Sequence, residues 1–320
     1  MLTVRVTAPH DLAREVCDRL RKDPTVCDLV YVPGVAQDGA GDLVHFELAR
    51  ENANNVMRML HDAGVATHGS IVVSDPIAVM SHGAAAAERA APGHPADGVL
   101  WAQLADRSRE DARPSWSFFA FLVLATLIAG IGRLLDQPIL VIGAMVVGPE
   151  FAPLAAICYA VVRRKRGIAG IASLTLFGGF ALSAVIAWIV WSVVYALGFI
   201  TYEQATSGPL TEFIITPDGW SFVIALLAGI AGVLSLTTPK SSALVGVFIS
   251  ITTVPAVGTL GLTLAVGAWD DARSALVQLS LNLAGLFIAG IVTLFMQLTF
   301  ERRIALRLEA RRARRATRAA

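Results

Sequence analysis

Charge is scarce in this chain. Only 16% of its 320 residues are Asp, Glu, Lys or Arg, where soluble domains carry about 25%. Apolar residues make up 55%, and mean hydropathy is +0.62. In water no interior would be large enough for that much Leu, Val, Ile and Ala, so an ordinary soluble enzyme and a disordered chain are both excluded. Cysteine is rare as well. Cys17, Cys27 and Cys158 show no CxxC or metal-ligand spacing, so neither a disulfide framework nor a zinc site is expected. Gly-x-Ser-x-Gly and His-Glu-x-x-His are absent, as is any pairing of membrane acids with a histidine. His10, His45, His61, His68 and His82 are scattered without ligand spacing. The expectation is a protein that is not an enzyme and needs neither metal nor cofactor.

What charge there is lies unevenly. Up to Arg113 acids and bases mix with apolar positions; beyond Pro114 they almost vanish until Glu301. The start, Met1 to Val16, has neither a basic n-region nor an apolar h-region, which predicts no cleaved export signal and a cytoplasmic first domain. Four segments follow from this: a soluble domain over 1–80, a linker with an amphipathic juxtamembrane helix over 81–113, a transmembrane domain over 114–300, and a basic cytoplasmic tail over 301–320.

In the first segment, Leu2 to Thr7 alternates with period two, as a half-buried strand does. Asp11 to Arg21 carries Leu12, Val16, Cys17 and Leu20 at helical spacing. Val26 to Val32 and Asp42 to Leu48 predict a strand pair across the Gly- and Asp-rich turn Gly34 to Asp42. Glu51 to Ala63 predicts a second helix, stopped at Gly64. Ser70 to Ser74 predicts a last strand. That order, β-α-β-β-α-β, is the ferredoxin-like split unit, an α+β domain suited to a small cytoplasmic ligand or to assembly. Gly83 to Gly98, rich in Ala, Pro and Gly, is expected to be a linker. Val99 to Asp111, with Leu100, Trp101 and Leu104 along one side, predicts either a helix at the membrane surface or against the membrane domain, or a plain linker helix.

A hydrocarbon core of roughly 30 Å takes about 20 helical residues. Six segments meet or approach that length: Trp116 to Leu135, Ile139 to Val162, Ile168 to Phe199, Trp220 to Leu236, Ser241 to Ala268, and Ala275 to Phe300. Basic residues set the orientation. Arg163 to Arg166, Lys240 and the arginine-rich tail from Arg302 to Arg318 fall on one side. The loop from Thr201 to Gly219 carries Glu203, Glu212 and Asp218 without Lys or Arg, and the turn at Asp270 and Asp271 is net acidic. Six spans with both termini cytoplasmic satisfy every loop except the short turn at Arg133. Positive-inside charge already accounts for the tail, so no nucleic-acid partner is expected.

Two spans are interrupted. The second reads Ile142 to Pro153 through Gly148, Pro149 and Glu150, and its prolines cannot continue a straight helix. The fifth reads Val245 to Pro255, with Ser250, Thr252 and Thr253 before the proline. Each is the middle member of a three-span group, and an odd number of spans puts the second group in the membrane upside down. An α-helical membrane protein of six transmembrane helices in two inverted three-helix repeats, with helices two and five broken, is therefore predicted. Paired Gly/Pro-interrupted helices are the sequence pointer to a transporter binding site. The candidate substrate or ion pathway is Gly148, Pro149, Glu150, Pro153, Ser250, Thr252, Thr253, Pro255 and Asn282. Glu150 would bind a cation or carry a proton, or else hold a freed backbone carbonyl; the hydroxyls would ligate an ion or satisfy broken backbone. Lys240 and Ser241 start a helix where an anion or lipid headgroup could sit, or simply mark a capped basic loop. Gly229, Gly232, Gly285 and Gly290 mark close helix contacts.

Ile142-Gly-Ala-Met-Val-Val-Gly-Pro with Pro153, then Gly232-Val-Leu-Ser-Leu and Lys240-Ser-Ser-Ala-Leu-Val-Gly-Val with Pro255 and Asn282, resemble the two signature stretches of the bacterial membrane family called domain of unknown function 389. The resemblance covers about Asp111 to Phe300 and implies a hydrophobic multi-pass protein of the bacterial cytoplasmic (inner) membrane. The family's pattern has apolar residues where Glu150 stands, so the resemblance implies no role for that residue. The reading is a transporter or channel for a small solute or ion, with a cytoplasmic regulatory or assembly domain and homo-oligomeric in the lipid bilayer. The alternative is a non-transporting membrane sensor, scaffold or lipid-binding protein.

Overall fold

The computed structural model describes residues 1–36, 41–91, 99–237 and 253–319. They divide into two compact units, one built on Met1–Leu104 and the other running from Ala105 onward.

The first unit is a four-stranded antiparallel sheet of β1 (Leu2–Ala8), β2 (Val26–Ala36), β3 (Gly41–Leu48) and β4 (Ser70–Ser74), in the order β2-β3-β1-β4. This is the strand order that a β-α-β-β-α-β chain needs to place β1 between β3 and β4. Alternation in the sequence becomes two faces. Leu2, Val4, Val6, Val44, Phe46 and Leu48 are wholly buried on one side, against α1 (His10–Leu20) and α2 (Ala53–Asp62) through Val16, Leu20, Val56 and Leu60. Gly64, the expected stop of α2, sits at φ +79°, where a Cβ would be strained. A short helix, α3 (Val65–His68), follows it.

Two elements differ from expectation. Of the expected linker, His82–Ala90 forms a helix, α4, while residues 92–98 lie outside the described residues. Its run of alanines has the highest helix propensity, the Ser81 hydroxyl accepts from the Ala84 N–H at 2.9 Å, and Ala84 and Ala87 are buried. Low complexity hid a capped helix. The amphipathic helix, α5 (Trp101–Asp111), has its apolar start on protein: Leu100 belongs to the first unit's core, and Trp101 and Leu104 are buried. Asn54 fixes its entry, donating to the Val99 carbonyl at 2.7 Å and accepting from the Trp101 N–H at 3.2 Å.

Asp42 ties the β2–β3 hairpin to the start of α1. It is buried, and it accepts from the Tyr31 hydroxyl, from the Gly34 N–H at 2.8 Å and from His10 Nδ1 at 2.7 Å. The Tyr31 bond above all, then the Gly34 amide, holds its carboxyl below the ordinary value of 3.8; burial opposes them, and His10 adds to the lowering. A depressed folded pKa contributes stability that is complete above the unfolded value and is lost as pH falls through the folded one. Asp42→Asn is therefore expected to lower stability at neutral pH, with the gap to wild type closing only below pH 3.8. Urea melts of both proteins across an acid series test this; a gap unchanged down to about pH 2 would remove the carboxylate from the account.

Among the described residues of the second unit, four helices are long and apolar enough to cross a membrane: α6 (Trp116–Leu134), α9 (Arg166–Ala196), α11 (Gly219–Thr237) and the Trp269–Phe300 part of the last helix. The bent pair α7 (Pro138–Val147) and α8 (Phe151–Val162), which turns 56° at its break, brings the number to five if it is one span. Only 28% of the most apolar window of α9 is buried, and Leu174, Phe177, Trp188 and Val193 face outward from it. Such an apolar exterior suits lipid and not water, so this is a multi-pass membrane unit. Of the expected fifth segment, α12 (Val254–Val266) is described, and residues 238–252 lie outside the described residues. The last helix, α13 (Trp269–Ala319), does not stop at Phe300 but runs on through the basic tail. Arg, Ala, Leu and Glu propagate a helix, and no Gly or Pro interrupts them.

Glycines let these helices close up. A Cβ at Gly229 would lie 2.8 Å from both the Ala289 Cβ and the Leu286 carbonyl; one at Gly285 would lie 2.7 Å from the Ala225 Cβ. Gly258 and Gly261 press α12 onto α6 and α9, where added Cβ atoms would lie 2.6 Å from the Thr126 carbonyl and 2.6 Å from the Ala187 Cβ.

Candidate functional site

The break in the second span follows from its residues. Gly148 N–H still bonds to the Ala144 carbonyl at 3.1 Å, but Pro149 has no N–H to give. The chain turns, and Glu150 becomes the residue just before α8. Pro153 falls in the first turn of that new helix, where proline is tolerated, and is buried there. The same pattern opens α12: Thr253 precedes it and Pro255 occupies its first turn. Both half-helices lie inside the unit, with every residue from Pro153 to Ala160 and from Val254 to Thr259 buried.

The two starts meet. Glu150 is 1% exposed and Thr253 is 0% exposed, and the Thr253 hydroxyl donates to Glu150 Oε1 at 2.9 Å. This bond joins residues 103 positions apart and ties the start of α12 to the break between α7 and α8. A helix N-terminus carries roughly half a positive charge, so a carboxylate at the meeting point of two of them is electrostatically complementary. Asn282 is fully buried on α13.

Gly148, Pro149, Glu150 and Pro153 thus lie at the break between α7 and α8, Thr253 and Pro255 lie at the start of α12, and the Thr253–Glu150 bond brings the two together. Ser250, Thr252, Lys240 and Ser241 lie outside the described residues. Among the described residues no three of His, Cys, Asp and Glu come together. Glu150 has the Thr253 hydroxyl beside it, and a carboxyl with a hydroxyl can exchange a proton or help hold one small cation.

Sequence reasoning passed over a second polar cluster. In the sequence the short turn at Arg133 is the one loop that the six-span orientation does not satisfy. Arg133 lies in the last turn of α6 and is 1% exposed. Nη1 donates to the Gly208 carbonyl and to Thr211 Oγ1, both at 2.9 Å, and Nη2 donates to the Thr206 carbonyl at 2.8 Å. Asp136, just past the helix, accepts from the Leu210 N–H at 3.1 Å and from the N–H and hydroxyl of Thr211, each at 2.9 Å. Burial would raise the Asp136 carboxyl, but those donors and the Arg133 charge outweigh it and hold it below the usual carboxylate range. The available signal was the spacing Arg-x-x-Asp at a helix end opposite a loop with no base of its own.

Residues 145–288 match the family model described as Domain of unknown function (DUF389). An uncharacterized protein of Methanocaldococcus jannaschii is 30% identical over 172 residues, 53% of this chain and 51% of that protein. The chain thus spans about half the length of the curated relative it matches. No solved structure matches.

Proposed function

For a chain whose residues 145–288 carry the DUF389 domain, we propose a membrane transporter or channel that moves a proton or another small ion or solute past Glu150. The single observation that carries this reading is the Thr253–Glu150 hydrogen bond joining the break in the second span to the start of α12. Irregular backbone inside a bilayer is tolerated where it is buried in protein or lines a water-filled cavity, and a buried intramembrane carboxylate is by default functional.

The same observation supports two inverted three-helix repeats. From their shared starting point, α8 leads to Arg163 and Arg166 and α12 leads to Trp269 and Asp271. Basic and acidic ends belong to opposite faces of a membrane, so the half-helices point in opposite directions. Six spans with cytoplasmic termini in a cytoplasmic membrane, a homo-oligomeric assembly, and a first unit that senses a cytoplasmic ligand complete the proposal. The work is movement rather than bond chemistry.

Purified protein in liposomes, assayed with imposed proton, Na+ and K+ gradients and a panel of small metabolites, tests it. Wild type is expected to carry flux of one of these, and Glu150→Gln, which keeps the shape and removes the charge, is expected to lose about ten-fold or more of it. A wild type silent toward every gradient and metabolite would leave the non-transporting scaffold or sensor as the reading.

A further inference from the structure

Resting on that transport reading, we infer that the segment Ile200–Ile214 is an outer gate, latched shut over the half-helices by Arg133 and Asp136. The segment contains α10 (Tyr202–Thr206) and a turn of 3-10 helix at Glu212–Ile214, and it lies in the loop that carries acids but no Lys or Arg. Its two ends are apolar plugs. Ile200 and Ala205 pack with Leu262 and Val266 of α12. Ile214 packs with Val141 and Met145 of α7, the half-helix that leads into the Glu150 break. Both arms of the broken-helix site are therefore covered by one stretch of chain.

Between the plugs, that stretch takes polar bonds from Arg133 at the end of α6 and Asp136 just past it. Arg133 grips the carbonyls of Thr206 and Gly208, and Asp136 grips the amides of Leu210 and Thr211, with the Thr211 side chain bonded to both. Asp136 itself has φ +49°, a conformation that non-glycine residues adopt at some cost. Gly208 is required by the close fit, since a Cβ there would lie 2.5 Å from Arg133 Nη1. The apolar seats are small and separate, with these polar bonds between them.

The experiment places a reporter under the plug. Val141→Cys is introduced into the full chain in right-side-out vesicles, and its reaction with a membrane-impermeant maleimide is compared with the chain lacking the reporter. Asp136→Asn and Gly208→Ala, each combined with Val141→Cys, are expected to speed labelling by about ten-fold or more, the effect of losing one charge-assisted hydrogen bond from a closing equilibrium. Equal labelling in the latched and unlatched proteins would overturn the gate. Hydrogen exchange on the unsubstituted chain keeps the question open to test if the variants fail to fold. The Leu210 and Thr211 amides are expected to exchange well below the free rate, and exchange at that rate would overturn the latch. Neither readout needs flux. A silent liposome assay with gated labelling would retire transport and keep the latch, while flux with unchanged labelling would do the reverse.

Discussion

Arg133→Met is expected to destabilise the membrane unit by about 3–5 kcal/mol, the usual cost of removing one member of a buried charged network. Methionine fills much of the volume, so the loss is not a cavity effect. It comes from the groups left behind. The carbonyls of Thr206 and Gly208 lose their donors in a place with little water to replace them. Asp136 keeps its bonds to Leu210 and Thr211 but loses the positive charge beside it. Arg133→Lys should recover only part of the stability, because one ammonium cannot serve two carbonyls and a hydroxyl with the geometry of the guanidinium fork. Thermal unfolding in detergent, followed by tryptophan fluorescence, measures the series. Wild-type stability in the methionine variant would show that the bonds to the segment over α7 and α12 contribute nothing.

Gly258→Ala is the second large effect. The new methyl carbon would lie 2.6 Å from the Thr126 carbonyl oxygen, 2.9 Å from the Ala129 Cβ and 3.0 Å from the Gly130 nitrogen. None of these belongs to a flexible side chain, so α12 must move away from α6 as a body. Over-packing of this kind costs about 1–3 kcal/mol. The displacement should also reach the start of α12, where Thr253 bonds to Glu150, so any flux is expected to fall with stability. Gly143→Ala in α7 is the control. Nothing lies within 4 Å of its added Cβ, and alanine's better helix propensity, worth up to about 1 kcal/mol, favours it. A Gly258→Ala variant that melts like wild type would overturn a close α6–α12 contact.

Different parts of the molecule were legible in the sequence to different degrees, for physical reasons. The strands of the first unit could be read because each buries one face, which prints a period of two on Leu2 to Ala8 and Asp42 to Leu48. The helix break at Pro149 could be read because proline cannot donate, wherever it is placed. The helix at His82–Ala90 could not, since an alanine-rich run has no periodicity until Ala84 and Ala87 find something to pack on. Neither could the far end of α13, because hydropathy marks where a helix leaves the oily layer and not where it stops being helical.

Composition and order alone determined that this chain belongs in a membrane, that a split β-α-β-β-α-β unit comes first, and that a helix breaks at Pro149. Those are local or summed properties, fixed by transfer free energies and by what each residue's backbone can do. Which groups meet at the breaks was left to the tertiary structure. Thr253 reaches Glu150, and Arg133 reaches Thr206, Gly208 and Thr211, across separations at which the sequence has no periodicity to report. A buried polar group must find its partner wherever packing brings one close, and only the folded chain says where that is.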